Sequence, residues 1–345
     1  MRKGGEYLGI GKLPYCILGE ILSQIESPGT DVLVGPRIGE DAAVIKIGDT
    51  DYVMLVHTDP ITEASSRIGW LSINVAANDI AVSGARPSWF TVTLLFPPNT
   101  DPVHIQKVVV EMKKAADRIG GKIVGGHTEV SPGISKTIVI TTAIGITKNN
   151  QYVRTGAAKP GSLVFQVKPA ALEGTAILAH DFKEKLIQAG VDPTVLMRAE
   201  SFIEEISVVE PAVKLAENGL AESMHDPTEG GILGGLIELA KASNVSLEID
   251  SSSMIVREET KLITEALGAD WMKLVSSGSI IGTMKPEAVE TAAKLVRESG
   301  LEFSVIGIVK EWSGFDVYLR DKGVYYNGYV REELSRLIEE DRSGV

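Results

Sequence analysis

The sequence predicts a two-domain protein whose first domain is a mixed α/β unit. Three observations predict it. The chain has 345 residues, 44% of them hydrophobic, enough for a substantial core and for two domains rather than one or three. Its first half alternates strand-like and helix-like apolar patterns. A break rich in glycine, proline and basic residues, 154–161, separates that half from a second alternating run, so the domains are expected at 1–150 and 151–345.

Each element has a local reason. Leu13, Ile17, Leu18, Ile21, Leu22 and Ile25 share one side of a helix that Pro28 and Gly29 should end, and that side should pack; Cys16 falls opposite. Strand-like runs follow at 42–47 and 52–56, the second closing in a turn at His57, Thr58, Asp59 and Pro60. A helix spans roughly 67–83 and stops at Gly84, before a strand at 88–95. Asp101 and Pro102 read as N-cap and N1 of a helix that reaches Gly120. A short strand, 122–124, should meet a turn at Gly125 and Gly126, and strand 137–146 closes this half. In the second half strands are expected at 163–167, 245–249, 279–284 and 303–309. Helices are expected near 173–188, 193–199, 201–219, 232–242, 258–267 and 286–298.

Composition excludes several roles. A formal charge of −12 with no Lys/Arg-rich block argues against a nucleic-acid binder. No apolar run reaches the ~18 residues a membrane span needs. One cysteine allows no intrachain disulfide, and no apolar leader follows the N-terminus, so a cytoplasmic location is expected.

The chemistry concentrates in three carboxylate clusters that interrupt apolar sequence: Glu40 with Asp41, Asp59 beside His57 and Thr58, and Asp79 beside Asn78. Asp79 lies in an apolar helical run, where an unpaired carboxylate costs on the order of several kcal/mol, so something cationic should meet it. Carboxylates near glycine-rich turns suit magnesium and, through it, phosphate oxygens. His57, His127 and His225 sit inside the same motifs and could ligate zinc or act as a base, although oxygen-rich surroundings favour a harder cation. Thr228, as a possible N-cap, and Gly230 open a helix where free N–H groups favour anions. Gly125 and Gly126 would let a ligand approach the backbone. No Walker or Rossmann signature is present; Gly9 and Gly11 have no strand before them, yet Lys12 could fold over a phosphate.

Read in order, the segments 39–43, 58–59, 78–87, 125–128, 154–161 and 226–231 resemble the aminoimidazole-ribonucleotide-synthetase (PurM-like) superfamily, and within it the hydrogenase-maturation HypE-like branch. The resemblance implies a PurM-like two-domain fold. Its N-terminal α/β domain would build a β-barrel in a homodimer, and its C-terminal domain would be α+β. It further implies ATP in the cleft, held through Mg2+, and either activation of an amide-type oxygen or phosphoryl transfer. Carried over by position, Asp41, Asp59 and Asp79 would hold metal. Glu40, Asp41, Thr58, Asn78, Gly125, Gly126, Thr128, Asp226, Thr228 and Gly230 would bind the cofactor, and Lys12, His127 and His225 would serve catalysis.

Two departures shape the expected function. HypE proteins carry a C-terminal cysteine whose carbamoylated sulfur is dehydrated; residues 337–345 hold none, so the acceptor is expected to be a separate small molecule or partner protein. His127 stands where much of the superfamily has Asp or Glu. The alternatives are a thiamine-monophosphate-kinase or selenophosphate-synthetase type enzyme, and a non-catalytic nucleotide-binding regulatory or assembly protein.

Overall fold

The computed structural model describes residues 11–25, 29–62, 64 and 66–343. The expectations placed on Gly9 and on the helix stop at Pro28 lie outside these residues. Two sheets organise the chain. The first comprises β1 (Val32–Val34), β2 (Ala43–Lys46), β3 (Tyr52–Ile61), β4 (Arg86–Phe96), β5 (Lys122–Val130) and β6 (Ile138–Lys148), in the order β1-β2-β3-β6-β4-β5. Every pair is antiparallel except β4 and β5. The sheet is open, with β1 and β5 at its edges.

Three helices belong to this half: α1 (Tyr15–Ile25), α2 (Ile68–Val82) and α3 (Pro102–Ile119). All 15 residues of α2 are buried. A helix apolar on every side needs neighbours all round; α2 has β3 and β6 on one side, α3 on another, and a helix of the second half on a third. Asp101 caps α3 by accepting the Val103 N–H at 2.8 Å, with Pro102 in the first turn as its fixed φ allows.

The second sheet comprises β7 (Leu163–Val167), β8 (Ser223–His225), β9 (Val245–Ile249), β10 (Ile280–Met284), β11 (Phe303–Glu311), β12 (Val317–Leu319) and β13 (Val324–Tyr326). Its order is β13-β12-β9-β11-β7-β10-β8. Around it lie α4 (Leu172–Asp181), α5 (Lys183–Gln188), α6 (Pro193–Glu200), α7 (Val209–Glu217), α8 (Gly231–Ser243), α9 (Glu258–Ala266), α10 (Val289–Glu298) and α11 (Glu333–Ser343). One apolar core runs from the first sheet through α2 into α4, α6 and α7, so the two halves share buried surface. Polar bonds key the seam. The Asn78 amide donates to Ile206 O and accepts from Val208 N, both at 2.9 Å, and Trp70 Nε1 donates to Ile203 O at 2.7 Å.

Several expected boundaries move. The turn at 57–60 is strand, because β3 continues to Ile61 with Asp59 opposite Thr141 and Pro60 opposite Ile140 on the central strand β6. The expected turn at Gly125 and Gly126 is likewise strand. β5 runs on past a register shift, Phe90 facing Ile123 and Thr91 facing Gly125, which leaves Val124 as an inserted residue. α1 buries none of its residues, and Leu18 and Leu22 instead wall a cleft. The 173–188 helix breaks at Phe182, and 201–219 divides into a 3-10 turn and α7. β1, β8, β12, β13 and α11 are additions to the expected set.

Candidate functional site

A cleft of about 660 Å³ opens between the two sheets. Its floor is polar and its outer wall apolar, with Leu13, Leu18 and Leu22 on the α1 side. Three chain segments supply the floor. The turn before β2 carries Asp41, and Gly39 there adopts φ +82°; a Cβ would stand 2.8 Å from the Glu238 carbonyl, so the turn fits only glycine without strain. β3 projects His57 and Asp59 two residues apart, toward one face of the sheet. Buried α2 delivers Asp79, 7% exposed. From the second half, β8 ends in His225 and leads into Asp226.

His225 ties the halves together. Its Nδ1 meets Asp41 Oδ1 at 2.6 Å and its Nε2 meets Glu238 Oε2 at 3.0 Å. Burial disfavours the imidazolium, but Asp41 and Glu238 outweigh it and push the pKa of His225 up to about 10. Asp41 Oδ2 also accepts from Thr155 Oγ1 at 2.9 Å. Lys12 reaches Thr228 Oγ1 at 3.1 Å and Glu238 Oε1 at 3.3 Å, with Glu229 at 3.6 Å. Burial would raise the pKa of Glu238; Lys12 and His225 instead hold it at about 2.

The remaining carboxylates lack such company. Asp226 is 1% exposed, and neither of its oxygens has a hydrogen-bond partner. Asp79 Oδ2 is likewise unpaired, with His57 Nε2 at 3.3 Å. Burial, then the charge of neighbouring aspartates, pushes the pKa of both well above the ordinary carboxylate range. Burial and then Glu229 raise Asp59 to about 7. Three carboxylates aimed into one cleft at this cost are what a bound cation would relieve.

The structure thus brings Lys12, Asp41, Asp59, Asp79, Asp226, Thr228 and His225 to one place. It does not do so for others. Glu40 lines the cleft, but its carboxylate takes Arg154 Nη2 at 2.7 Å and Nε at 3.1 Å. Thr58 lies at the rim with its hydroxyl on Thr142, 2.8 Å away. Asn78 spends both ends of its amide on the second-half backbone and offers none to a ligand. Gly125, Gly126, His127 and Thr128 stand on β5, at the sheet edge beyond β4, and His127 pairs with Glu129 at 3.0 Å. Within one chain they do not line the cleft. Thr228 does not cap α8: Gly230 occupies that position at φ +85° without a side-chain bond.

Glu238 escaped the sequence reading. Its signal was the one used for Asp79, a lone carboxylate in the apolar face of a helix.

Comparison with known proteins agrees with this architecture. Residues 39–147 match the family model described as AIR synthase related protein, N-terminal domain, and residues 159–320 match its C-terminal domain. A putative hydrogenase expression/formation protein of Methanocaldococcus jannaschii is 28% identical over 305 residues, covering 85% of this chain and 87% of that one. Carbamoyl dehydratase HypE of Rhodobacter capsulatus is 26% identical over 309 residues, covering 87% and 86%. A crystal structure of the hydrogenase maturation protein HypE in complex with ATP superposes with a TM-score of 0.68 at 22% identity, covering 95% of this chain and 98% of that one. The two domain models in tandem, together with the PurM-like two-domain fold, place this chain in the AIR synthase related family, among proteins similar to HypE.

Proposed function

We propose that this chain is an ATP-dependent, magnesium-requiring enzyme of HypE-like type that activates an amide-type oxygen or transfers a phosphoryl group to a separate substrate or partner protein. The observation that carries it is the unpaired, buried Asp226 facing a cleft that also holds Asp41, Asp59 and Asp79. Asp41, Asp79 and Asp226 would hold Mg2+ with the nucleotide phosphates, and Lys12 would neutralise phosphate charge at the mouth. Held there, a magnesium-bound nucleotide would supply an electrophilic γ-phosphorus. His225, fixed between Asp41 and Glu238, positions the metal-binding carboxylate rather than moving protons. The apolar wall of α1 would cover the base. The acceptor would be a separate molecule; Cys16 is exposed and does not line the cleft.

The working unit is a cytoplasmic homodimer. β5 is an exposed nine-residue edge strand with Val124 and Val130 each 58% exposed, and a second copy pairing there would complete a barrel. That pairing would also bring Gly125, Gly126, His127 and Thr128 beside a neighbouring chain. We divide each chain into domains at 150/151.

Calorimetric titration with a non-hydrolysable ATP analogue, with and without Mg2+, tests the reading. Binding that requires Mg2+ and is lost in Asp226→Asn is expected; binding indifferent to both sinks the assignment. ATP binding without turnover against any acceptor would favour the regulatory alternative, and ADP formed together with a phosphorylated small molecule the kinase alternative.

A further inference from the structure

The chain carries a formal charge of −12, yet one corner of the seam between its halves is basic. Lys107, Lys114 and Arg118 fall on one face of α3, together with Glu111. Arg67 meets them from the position just before α2. Arg67, Lys114 and Arg118 gather over the indole of Trp70, at 5.2, 5.4 and 5.4 Å from its ring centroid. One carboxylate from the second half serves all three. Glu204 takes Arg67 Nη2 at 2.6 Å and Arg118 Nη1 at 3.1 Å, with Lys114 Nζ at 4.0 Å. Burial would raise the Glu204 carboxyl, but these cations, Arg67 first, hold it below the ordinary carboxylate range. Glu111 stands 3.9 Å from Arg67 Nε, too far for a hydrogen bond, so that buried N–H has no partner of its own.

A cavity of about 260 Å³ opens beside this cluster, walled by Arg67 and Lys107 from the first half and by His180 of α4 and Glu200 of α6 from the second. Glu200 is spent on Lys183 at 3.1 Å, whereas Lys107 has no ion pair among the described residues. Two cationic side chains, one of them with an unpaired buried N–H, therefore face a space in which no described carboxylate is left to neutralise them. The volume lies below the ~300–1,000 Å³ typical of drug-sized ligands, so the occupant is small. An arginine, a lysine and a histidine converging from three elements suit the three outward oxygens of a phosphate group better than the two of a carboxylate. From this geometry we propose that the cavity between α2, α3, α4 and α6 is a site for a small phosphate-bearing anion, which Arg67, Lys107 and His180 bind and which clamps the two halves together. The site stands apart from the cleft, since the twelve residues from Arg67 to Asp79 span about 18 Å along α2. It does not rest on the nucleotide reading.

The probes are inorganic phosphate and glycerol 3-phosphate, titrated by calorimetry into full chain in chloride of matched ionic strength. Lys107 is exposed, so Lys107→Gln should fold. Lys113→Gln, exposed on another side of α3, and Lys12→Gln, in the cleft, are the controls. Expected is binding that Lys107→Gln weakens at least about tenfold, as the loss of one charge-assisted bond implies, and that either control changes less than threefold. Tighter binding of the ester assigns the site to an organic phosphate and tighter binding of the ion to free phosphate; either upholds it. No saturable binding, or equal affinity in Lys107→Gln, overturns the proposal. A loss that follows Lys12→Gln instead places the anion in the cleft and overturns it too. Unaltered protein provides a second readout that no folding defect can confuse. Saturating phosphate should protect Lys107, and not Lys113, from an amine-acetylating reagent, read by mass spectrometry, and labelling of Lys107 indifferent to phosphate discards the site.

Discussion

His225 Nδ1 lies 2.6 Å from Asp41 Oδ1, and this contact joins the turn before β2 in the first half to the end of β8 in the second. Glu238 grips the other nitrogen, so a buried cation is sandwiched between two carboxylates. Breaking such a buried arrangement by removing its centre costs about 3–5 kcal/mol. His225→Gln is therefore expected to lower stability by that order in urea unfolding, and to weaken Mg2+-dependent nucleotide binding because Asp41 loses its anchor.

The same residue gives a pH signature. The folded pKa of about 10 lies above the ordinary histidine value. The stabilisation is therefore complete below pH ~6.5 and is lost as pH rises through about 10. Unfolding free energies at pH 6 and pH 10, with and without His225→Gln, should show wild type losing more than the variant.

The unpaired carboxylates make a second, lower window. Asp59 is raised to about 7, and Asp79 and Asp226 stand well above their ordinary range. For an acid raised on folding, the contribution is full below pH ~4 and disappears as pH climbs through the folded pKa. Metal-free protein should thus melt lower at pH 8 than at pH 5, and saturating Mg2+ should recover the loss at pH 8. A melting temperature indifferent to Mg2+ at pH 8 would contradict the cation site.

Which parts were legible follows from what local sequence encodes. α2 and α3 were readable because an all-apolar helical run, and an Asp-Pro cap that accepts the Val103 N–H, are decided within a few residues. β3 and β5 were not. His57 to Pro60 and Gly125 to Gly126 are turn-formers by composition, and only pairing with β6 and β4, remote in sequence, makes them strand. The site divides the same way. Asp41, Asp59 and Asp79 announce themselves as charges within apolar runs, whereas the pairing of Glu40 with Arg154, and of Asn78 with 206–208, depends on how the domains dock.

Asn78 provides a contrast between anchor and ligand. Asn78→Ala removes two buried hydrogen bonds and leaves Ile206 O and Val208 N unsatisfied, a loss of about 2–4 kcal/mol. Nucleotide affinity of the folded fraction should change less than threefold, measured by calorimetry below the unfolding transition. A large affinity loss at unchanged stability would instead make Asn78 a ligand contact.

The β5 edge yields the last prediction. Val124 and Val130 are exposed on the edge strand β5, and Val124 is the inserted residue of its bulge against β4. In a homodimer they would be covered, so charge there opposes assembly without touching the core of one chain. Val124→Lys with Val130→Lys is expected to shift sedimentation from dimer to monomer while the melting temperature at low protein concentration changes by only a few degrees. If His127 and Thr128 serve a neighbouring chain's cleft, the monomeric variant also loses nucleotide affinity. Retained affinity in a monomer would mean that each cleft is complete within its own chain, and that β5 contributes to assembly alone.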